Sequence, residues 1–225
     1  YTFTVKEVDI DGNDYTPTNY EKKEEGLKVT NTYKSPVIPT LTATKVWKNG
    51  NSLMRPVVGF QLHRKIDSES EGEAVSGATI KQLLPGTTQV EWKDLRKTDD
   101  QGNEYTYFVK ELVQEGEYAQ GVPPQLIDGA PDGYVKLEEG MKVTNTYQIP
   151  KVESVVANKT WVDGPAAKPT VWFKLFRNTP GGNLEAVPDA EIKELADGVT
   201  SAEWTNLDAT DIDGNKYTFT VQEVD

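Results

Sequence analysis

The chain has 225 residues, a formal net charge of −12, 27% charged and 36% hydrophobic residues, 18 Gly, 13 Pro, one His and no Cys. The length allows one or two domains, no apolar run reaches the roughly 18 residues of a membrane span, and the lack of cysteine excludes a disulfide framework, an iron–sulfur cluster and a thiolate zinc site. One histidine leaves no His-based metal site and little for Ser–His chemistry, while the acidic balance argues against nucleic acid or anionic lipid as partner; neither metal nor cofactor is expected.

Residues 1–7 (Tyr-Thr-Phe-Thr-Val-Lys-Glu) alternate as a strand does, and the phrase returns at 105–111 and 217–223. Residues 9–13 and 211–215 (both Asp-Ile-Asp-Gly-Asn) open like a calcium loop but lack its closing glutamate, so they read as hairpin turns. Residues 28–33 (Lys-Val-Thr-Asn-Thr-Tyr) recur at 142–147. Linkers are expected at 34–39 and 148–152, where prolines deny a ladder its donors. Residues 44–47 (Thr-Lys-Val-Trp) are answered by 158–161 (Asn-Lys-Thr-Trp), and the alternating 58–62 (Val-Gly-Phe-Gln-Leu) by 171–175 (Val-Trp-Phe-Lys-Leu).

The remaining features read as structure or solvent. His63 faces away from Phe60 and Leu62 and matches Phe176 in the next copy, which places it on the surface. The acidic run 67–73 is a solvated loop. Residues 84–87 (Leu-Pro-Gly-Thr) resemble a sorting signal, but Thr88 stands where glycine is needed and no hydrophobic tail follows. Trp172, opposite Phe173, is either an exposed binding aromatic or packed under a loop. Turn pairs such as Asn49-Gly50, Asp163-Gly164 and Gly102-Asn103 punctuate the strands, and no helical period appears. The fold class is all-β: antiparallel sandwiches.

The repeat is domain-sized. Lys45 and Lys159 are 114 residues apart, as are Asn31 and Asn145 (159 − 45 and 145 − 31). A whole unit runs Lys, Glu, Asn, and only Lys45, Glu111 and Asn145 complete that order. Residues 37–150 therefore form an intact repeat, 1–36 the C-terminal fragment of another and 151–225 an N-terminal fragment.

Side chains two apart on a strand share a face. Lys45 travels with Trp47, Glu111 with Val109 and Tyr107, and Asn145 with Val143 and Tyr147, so an amine, an acid and an amide are predicted to point into the core. Lys159, Glu223, Glu7 and Asn31 repeat the pattern in the fragments. Burying an ion pair costs several kcal/mol per ion (roughly, by continuum reasoning), which attraction offsets only in part. Desolvation makes both neutral forms accessible. A neutral amine is a nucleophile, and a neutral acid polarises an amide carbonyl. Attack of Lys45 on Asn145, with Glu111 shuttling the proton, would release ammonia and leave an isopeptide bond. The bland alternative is a partly exposed salt bridge worth about 0–1 kcal/mol.

Lys-x-Trp early, Tyr-x-x-x-Val-x-Glu late and Val-Thr-Asn-x-Tyr at the end resemble the Cna B-type domains of Gram-positive surface adhesins and pilins. The resemblance implies tandem immunoglobulin-like sandwiches, one intact and one split, each with an intramolecular Lys–Asn isopeptide bond promoted by a glutamate. It assigns Lys45–Asn145 with Glu111 to the intact unit. To the split unit it assigns Lys159 and Asn31, with either Glu223 or Glu7. The expected function is a stalk segment of a cell-wall-anchored, extracellular protein. A module gripping a host protein or glycan is the alternative, host matrix could be bound through other domains, and a two-carboxylate glycosidase ranks last because the recurring glutamate is single and faces the core. The split unit predicts head-to-tail self-association, one copy's tail completing another copy's head.

Overall fold

The computed structural model describes residues 1–68, 70–115 and 125–225. In chain order the strands are β1 (Tyr20–Glu25), β2 (Lys28–Tyr33), β3 (Val37–Lys48), β4 (Val58–Lys65), β5 (Glu73–Ala74), β6 (Lys81–Leu83), β7 (Gln89–Arg96), β8 (Thr106–Glu115), β9 (Gln125–Asp128), β10 (Tyr134–Glu139), β11 (Lys142–Tyr147), β12 (Lys151–Asn158), β13 (Val171–Asn178), β14 (Glu185–Ala186), β15 (Lys193–Leu195), β16 (Ser201–Asp208) and β17 (Thr218–Val224). One 3₁₀ turn at Ser52–Met54 is the sole helical element among the described residues. The chain packs as two compact units: Tyr1–Val46, Val57–Gly129 and Leu137–Val143 in the first, and Trp47–Pro56, Ala130–Lys136 and Thr144–Asp225 in the second.

In the first unit, β4 pairs with β8 over seven register positions, from Gly59↔Leu112 to Lys65↔Thr106. β3 pairs with β7 from Val37↔Arg96 to Thr44↔Gln89. The two sheets run in the orders β5-β4-β8-β9 (with β6 on β4) and β10-β11-β3-β7. Their inward residues are fully buried: Phe60, Leu62 and Val109 on one, Ala43, Trp92 and Val143 on the other. Alternation caused by the pleat thus decides which residues make the core. The Trp92 indole N–H, buried with its ring, donates to the Thr79 carbonyl at 3.0 Å.

The second unit holds its own core of Phe173, Leu175, Val187, Leu195, Ala202, Trp204 and Leu207. β12 pairs with β16, and β13 carries β14, β15 and β17. Trp204 donates to the Glu191 carbonyl at 2.8 Å, repeating the Trp92 arrangement.

The turns behave as their residues dictate. Asn49 and Gly50 have φ of 61° and 71°, and Asp163 and Gly164 57° and 88°, the double left-handed geometry that Asn-Gly and Asp-Gly favour. Leu84-Pro-Gly-Thr87 is a tight turn, closed by Thr87 N–H to the Leu84 carbonyl at 2.8 Å with Gly86 at φ 87°. The Asp9 and Asp211 loops are folded around their own aspartates, each of which accepts backbone N–H groups two and four residues ahead. In the acidic run, Asp67 accepts the Ser70 N–H and Glu73 pairs with Arg64 at 2.9 Å; Glu69 lies outside the described residues.

Three expectations are corrected. The linker expected at 34–39 is already strand from Val37, because Asp94, at φ 54°, stands opposite Pro39, whose missing donor interrupts only one ladder step. Residues 1–7 form no strand: the equivalent β8 is held by β4, and no strand like β4 pairs with residues 1–7 among the described residues, so Phe3 is 72% exposed. His63 is buried rather than on the surface. Its ring lies 5.3 Å from that of Phe108 and its Nε2 is 3.0 Å from the Gln61 amide oxygen, so this face of β4 is covered too. Burial, then the nearby Lys110 charge, hold its imidazole below the usual histidine range. Trp172 remains 39% exposed.

Candidate functional site

Lys45 and Glu111 meet inside the first unit. β3 carries Lys45 on the same face as Ala43, and β8 carries Glu111 directly across from Phe60. The Lys45 ammonium nitrogen lies 3.0 Å from the Glu111 carboxylate, with both side chains 0% exposed. Period-two alternation thus does for two charged residues what it does for the apolar ones beside them.

Asn145 is also 0% exposed, between Val143 at 0% and half-buried Tyr147 on the same face of β11. β11 neighbours β3 in the sheet order, and the Thr44 N–H donates to the Met141 carbonyl at 2.8 Å as the two segments come together.

A residue missed in the sequence holds Glu111 from behind. The Glu138 carboxylate accepts the Glu111 backbone N–H at 2.7 Å. The tail fragment repeats this: Glu24 accepts the Glu7 N–H at 3.0 Å, and that bond, followed by Lys22, holds the Glu24 carboxyl below the usual range. The available signal was the recurrence of Lys-x-Glu-Glu at 22–25 and 136–139.

Residues nearer the two chain ends bring together other pairs. The Lys159 ammonium sits 2.6 Å from Glu223, with side chains 19% and 46% exposed, and 4.4 Å from the Trp161 ring centre. The Asn31 amide donates to both Glu7 oxygens at 2.9 Å, and Asn31 is exposed. In the single chain these four polar groups are not enclosed in a core. β12 pairs only with β16, and β1 and β2 pair only with each other, so no second sheet edge closes over them among the described residues.

Charge excluded from solvent is what gives the Lys45–Glu111 pair chemical capability. Passing one proton from ammonium to carboxylate removes both charges from the interior and leaves a nucleophilic amine beside a carboxylic acid. No group of three or more His, Cys, Asp or Glu suited to a metal occurs among the described residues, and none of their helices is long and apolar enough to cross a membrane.

Comparison with known proteins places likenesses along most of the chain. The family profile described as Cna protein B-type domain matches residues 41–146 and 155–225. The collagen adhesin of Staphylococcus aureus is 32% identical over 163 residues, which are 72% of this chain and 12% of that protein; the chain thus spans a small part of this curated relative. Among solved structures, two B repeat units (B1B2) of the collagen binding protein (Cna) of Staphylococcus aureus are 19% identical, with 94% of this chain and 50% of that one covered at a TM-score of 0.39. The pilus adhesin SpaC of Lactobacillus rhamnosus GG, in its open conformation, is 12% identical, with coverage of 91% and 26% and a TM-score of 0.35.

Proposed function

This chain belongs to the Cna protein B-type domain family, and from that premise we propose that it is a stalk segment of a bacterial surface adhesin, stiffened by a Lys45–Asn145 isopeptide bond that it forms unaided. As a Cna B-type repeat it is a structural domain, not an enzyme. The single observation that carries the covalent reading is the solvent-excluded Lys45–Glu111 contact at 3.0 Å. A buried ion pair is weak evidence for stability by itself, since apolar residues of similar volume serve as well or better. A reaction that removes the lysine charge supplies the reason for keeping it.

In the reaction, Glu111 takes one proton from the Lys45 ammonium. The amine lone pair attacks the Asn145 side-chain carbonyl carbon, and the protonated Glu111 supports the oxygen on which charge develops. Glu111 then delivers its proton to the departing nitrogen and takes up the second amine proton in its place. The carbon–nitrogen bond of the Asn145 amide breaks, the bond to Lys45 forms, and one ammonia leaves. Each protein turns over once.

The link closes first strand to last, so tension along the chain passes through a covalent bond and bypasses the ladders between. It needs no oxidising compartment, in keeping with a chain that has no cysteine. A relative is a collagen adhesin, which supports an extracellular, cell-wall-anchored setting in which other domains meet host matrix. Direct host binding by this segment is the second reading, favoured by the exposed Trp172; loss of binding to immobilised matrix protein in Trp172→Ala would support it.

Self-association follows from the same chemistry. One copy's Asn31 strand would complete another copy's Lys159–Glu223 pair, leaving open which of Glu223 and Glu7 acts. A concentration-dependent ladder resistant to boiling detergent is expected, and a strict monomer at high concentration would overturn it. For the intact repeat, the test is intact mass: the native chain should weigh one ammonia less than its sequence, and Lys45→Ala or Glu111→Ala should restore the full value.

A further inference from the structure

We propose that the far end of each repeat is a docking surface for the next repeat, which seats on it in one fixed orientation through a joint written twice in this chain. The partner is a second repeat of the same kind, and the joint does not depend on the isopeptide bond.

The first joint lies within the first compact unit. Tyr33, last residue of β2, is stacked edge-on against Tyr20 at 5.5 Å, and its hydroxyl meets the Thr98 hydroxyl at 2.8 Å. The Ser35 hydroxyl, in the linker, accepts the Thr98 N–H at 2.9 Å and the Thr98 hydroxyl at 3.0 Å. The Lys97 N–H donates to the Pro36 carbonyl at 2.7 Å, which carries the β3–β7 ladder one step past Val37↔Arg96 and into the linker.

The second joint lies within the second unit and uses equivalent atoms. Tyr147, last residue of β11, stacks on Tyr134 at 5.6 Å, and its hydroxyl meets that of Thr210 at 3.2 Å. The Ala209 N–H donates to the Pro150 carbonyl at 2.8 Å, extending the β12–β16 ladder past Lys151↔Asp208. The tight turn adds a further bond, Gly50 N–H to the Ile212 carbonyl at 2.9 Å.

The receiving loop is preset in both cases. Asp99 holds the Gln101 and Asn103 N–H groups and the Asn103 amide, and Asp211 does the same for Asp213 and Asn215. Each leaves the preceding threonine, Thr98 or Thr210, only 5% exposed. A free linker would have no reason to bury the same threonine hydroxyl against the same tyrosine twice. Linker composition alone suggests a semi-rigid spacer, whereas two backbone ladders that run into the linker and a side-chain latch beside each remove its torsional freedom. The sequence rule for a partner is a Thr-Asp-x-x-Gly-Asn loop and a proline in the linker.

The test uses the full chain, whose lack of cysteine lets nitroxide labels be attached at Asp132→Cys and Glu203→Cys, on either side of the second joint and both within the second unit. Pulsed electron–electron resonance should give one narrow distance distribution. Tyr147→Phe with Thr210→Val, which preserves shape, should broaden it at least twofold. Gly50→Ala should broaden it further, because Gly50 has φ 71° and an added Cβ would lie 2.4 Å from the Tyr134 hydroxyl. Intact mass and circular dichroism on each variant confirm that the repeats themselves are unchanged. A broad distribution in the native chain, or a narrow one that none of the variants alters, would overturn the proposal.

Discussion

Replacing the buried pair by apolar residues, Lys45→Met with Glu111→Leu, separates the covalent link from everything else the pair does. The loop from Lys45 to Asn145 spans 100 residues (145 − 45), and closing a loop of that length stabilises a fold by about 4.7 kcal/mol on the chain-entropy model. Exchanging the ion pair for well-packed apolar side chains is itself close to neutral or stabilising, so the double variant should lose only the link. For a repeat of this size, at about 4 °C per kcal/mol, that is a drop in melting temperature on the order of 20 °C. Glu111→Gln alone should do worse. It loses the link and also leaves the Lys45 ammonium without its acid, adding about 3–5 kcal/mol, and the combined loss is comparable to the whole stability of a typical domain. Mass spectrometry, calorimetry and chemical denaturation read the two effects independently. A native chain that carries its full sequence mass and melts no higher than the double variant would refute the covalent reading outright.

His63 should give the first unit a mild acid sensitivity. Its folded pKa is lowered by burial, so the unfolded state takes up the proton first, and stability falls as pH drops from the unfolded value near 6.5 through the folded one; His63→Phe, the residue found at Phe176, should flatten that window in urea titrations at stepped pH. Gly72→Ala should destabilise by more than about 1 kcal/mol, since Gly72 has φ 78° and a Cβ there would come within 2.8 Å of the Arg64 carbonyl and the Phe108 ring; denaturant midpoints decide it. Phe60→Ala, at a wholly buried position, should cost about 3–5 kcal/mol in the same assay. Glu138→Ala strands the Glu111 N–H and should cost about 1–3 kcal/mol, with the mass of the purified chain still one ammonia short.

How much of this was legible depends on range. Period-two alternation reads the face of a side chain from its neighbours, and that sufficed to turn Lys45, Glu111 and Asn145 inward. It could not say whether a second sheet would cover that face. The same alternation holds at Phe3, Val5 and Glu7, yet Phe3 stays 72% exposed, because burial is conferred by a partner strand that the local pattern does not contain. His63 failed in the opposite sense: its outward face is covered by Phe108 from β8, so the face that alternation assigns to solvent is closed by a cross-strand ring. Glu138 and Thr98 were missed for a plainer reason. One works by accepting a backbone N–H and the other by meeting a linker hydroxyl, and neither task demands a distinctive spacing.

The Lys–Glu contact occurs twice in the chain, in two settings that bear on the proposed chemistry. Lys159 and Glu223 are in contact at 2.6 Å without being buried, so contact needs only the strands of an N-terminal fragment. Lys45 and Glu111 are in contact at 3.0 Å and wholly buried, in a repeat whose sheet also contains β10 and β11. The pair at Lys45 and Glu111 is thus closed to solvent where the pair at Lys159 and Glu223 is not. On the covalent reading, enclosure of the pair switches reactivity on, and a partly folded repeat cannot cross-link prematurely to a wrong partner. Refolding followed by mass should accordingly show ammonia loss trailing the burial of Trp92, never preceding it; loss that leads the Trp92 fluorescence change would mean that the buried environment is not what activates Lys45.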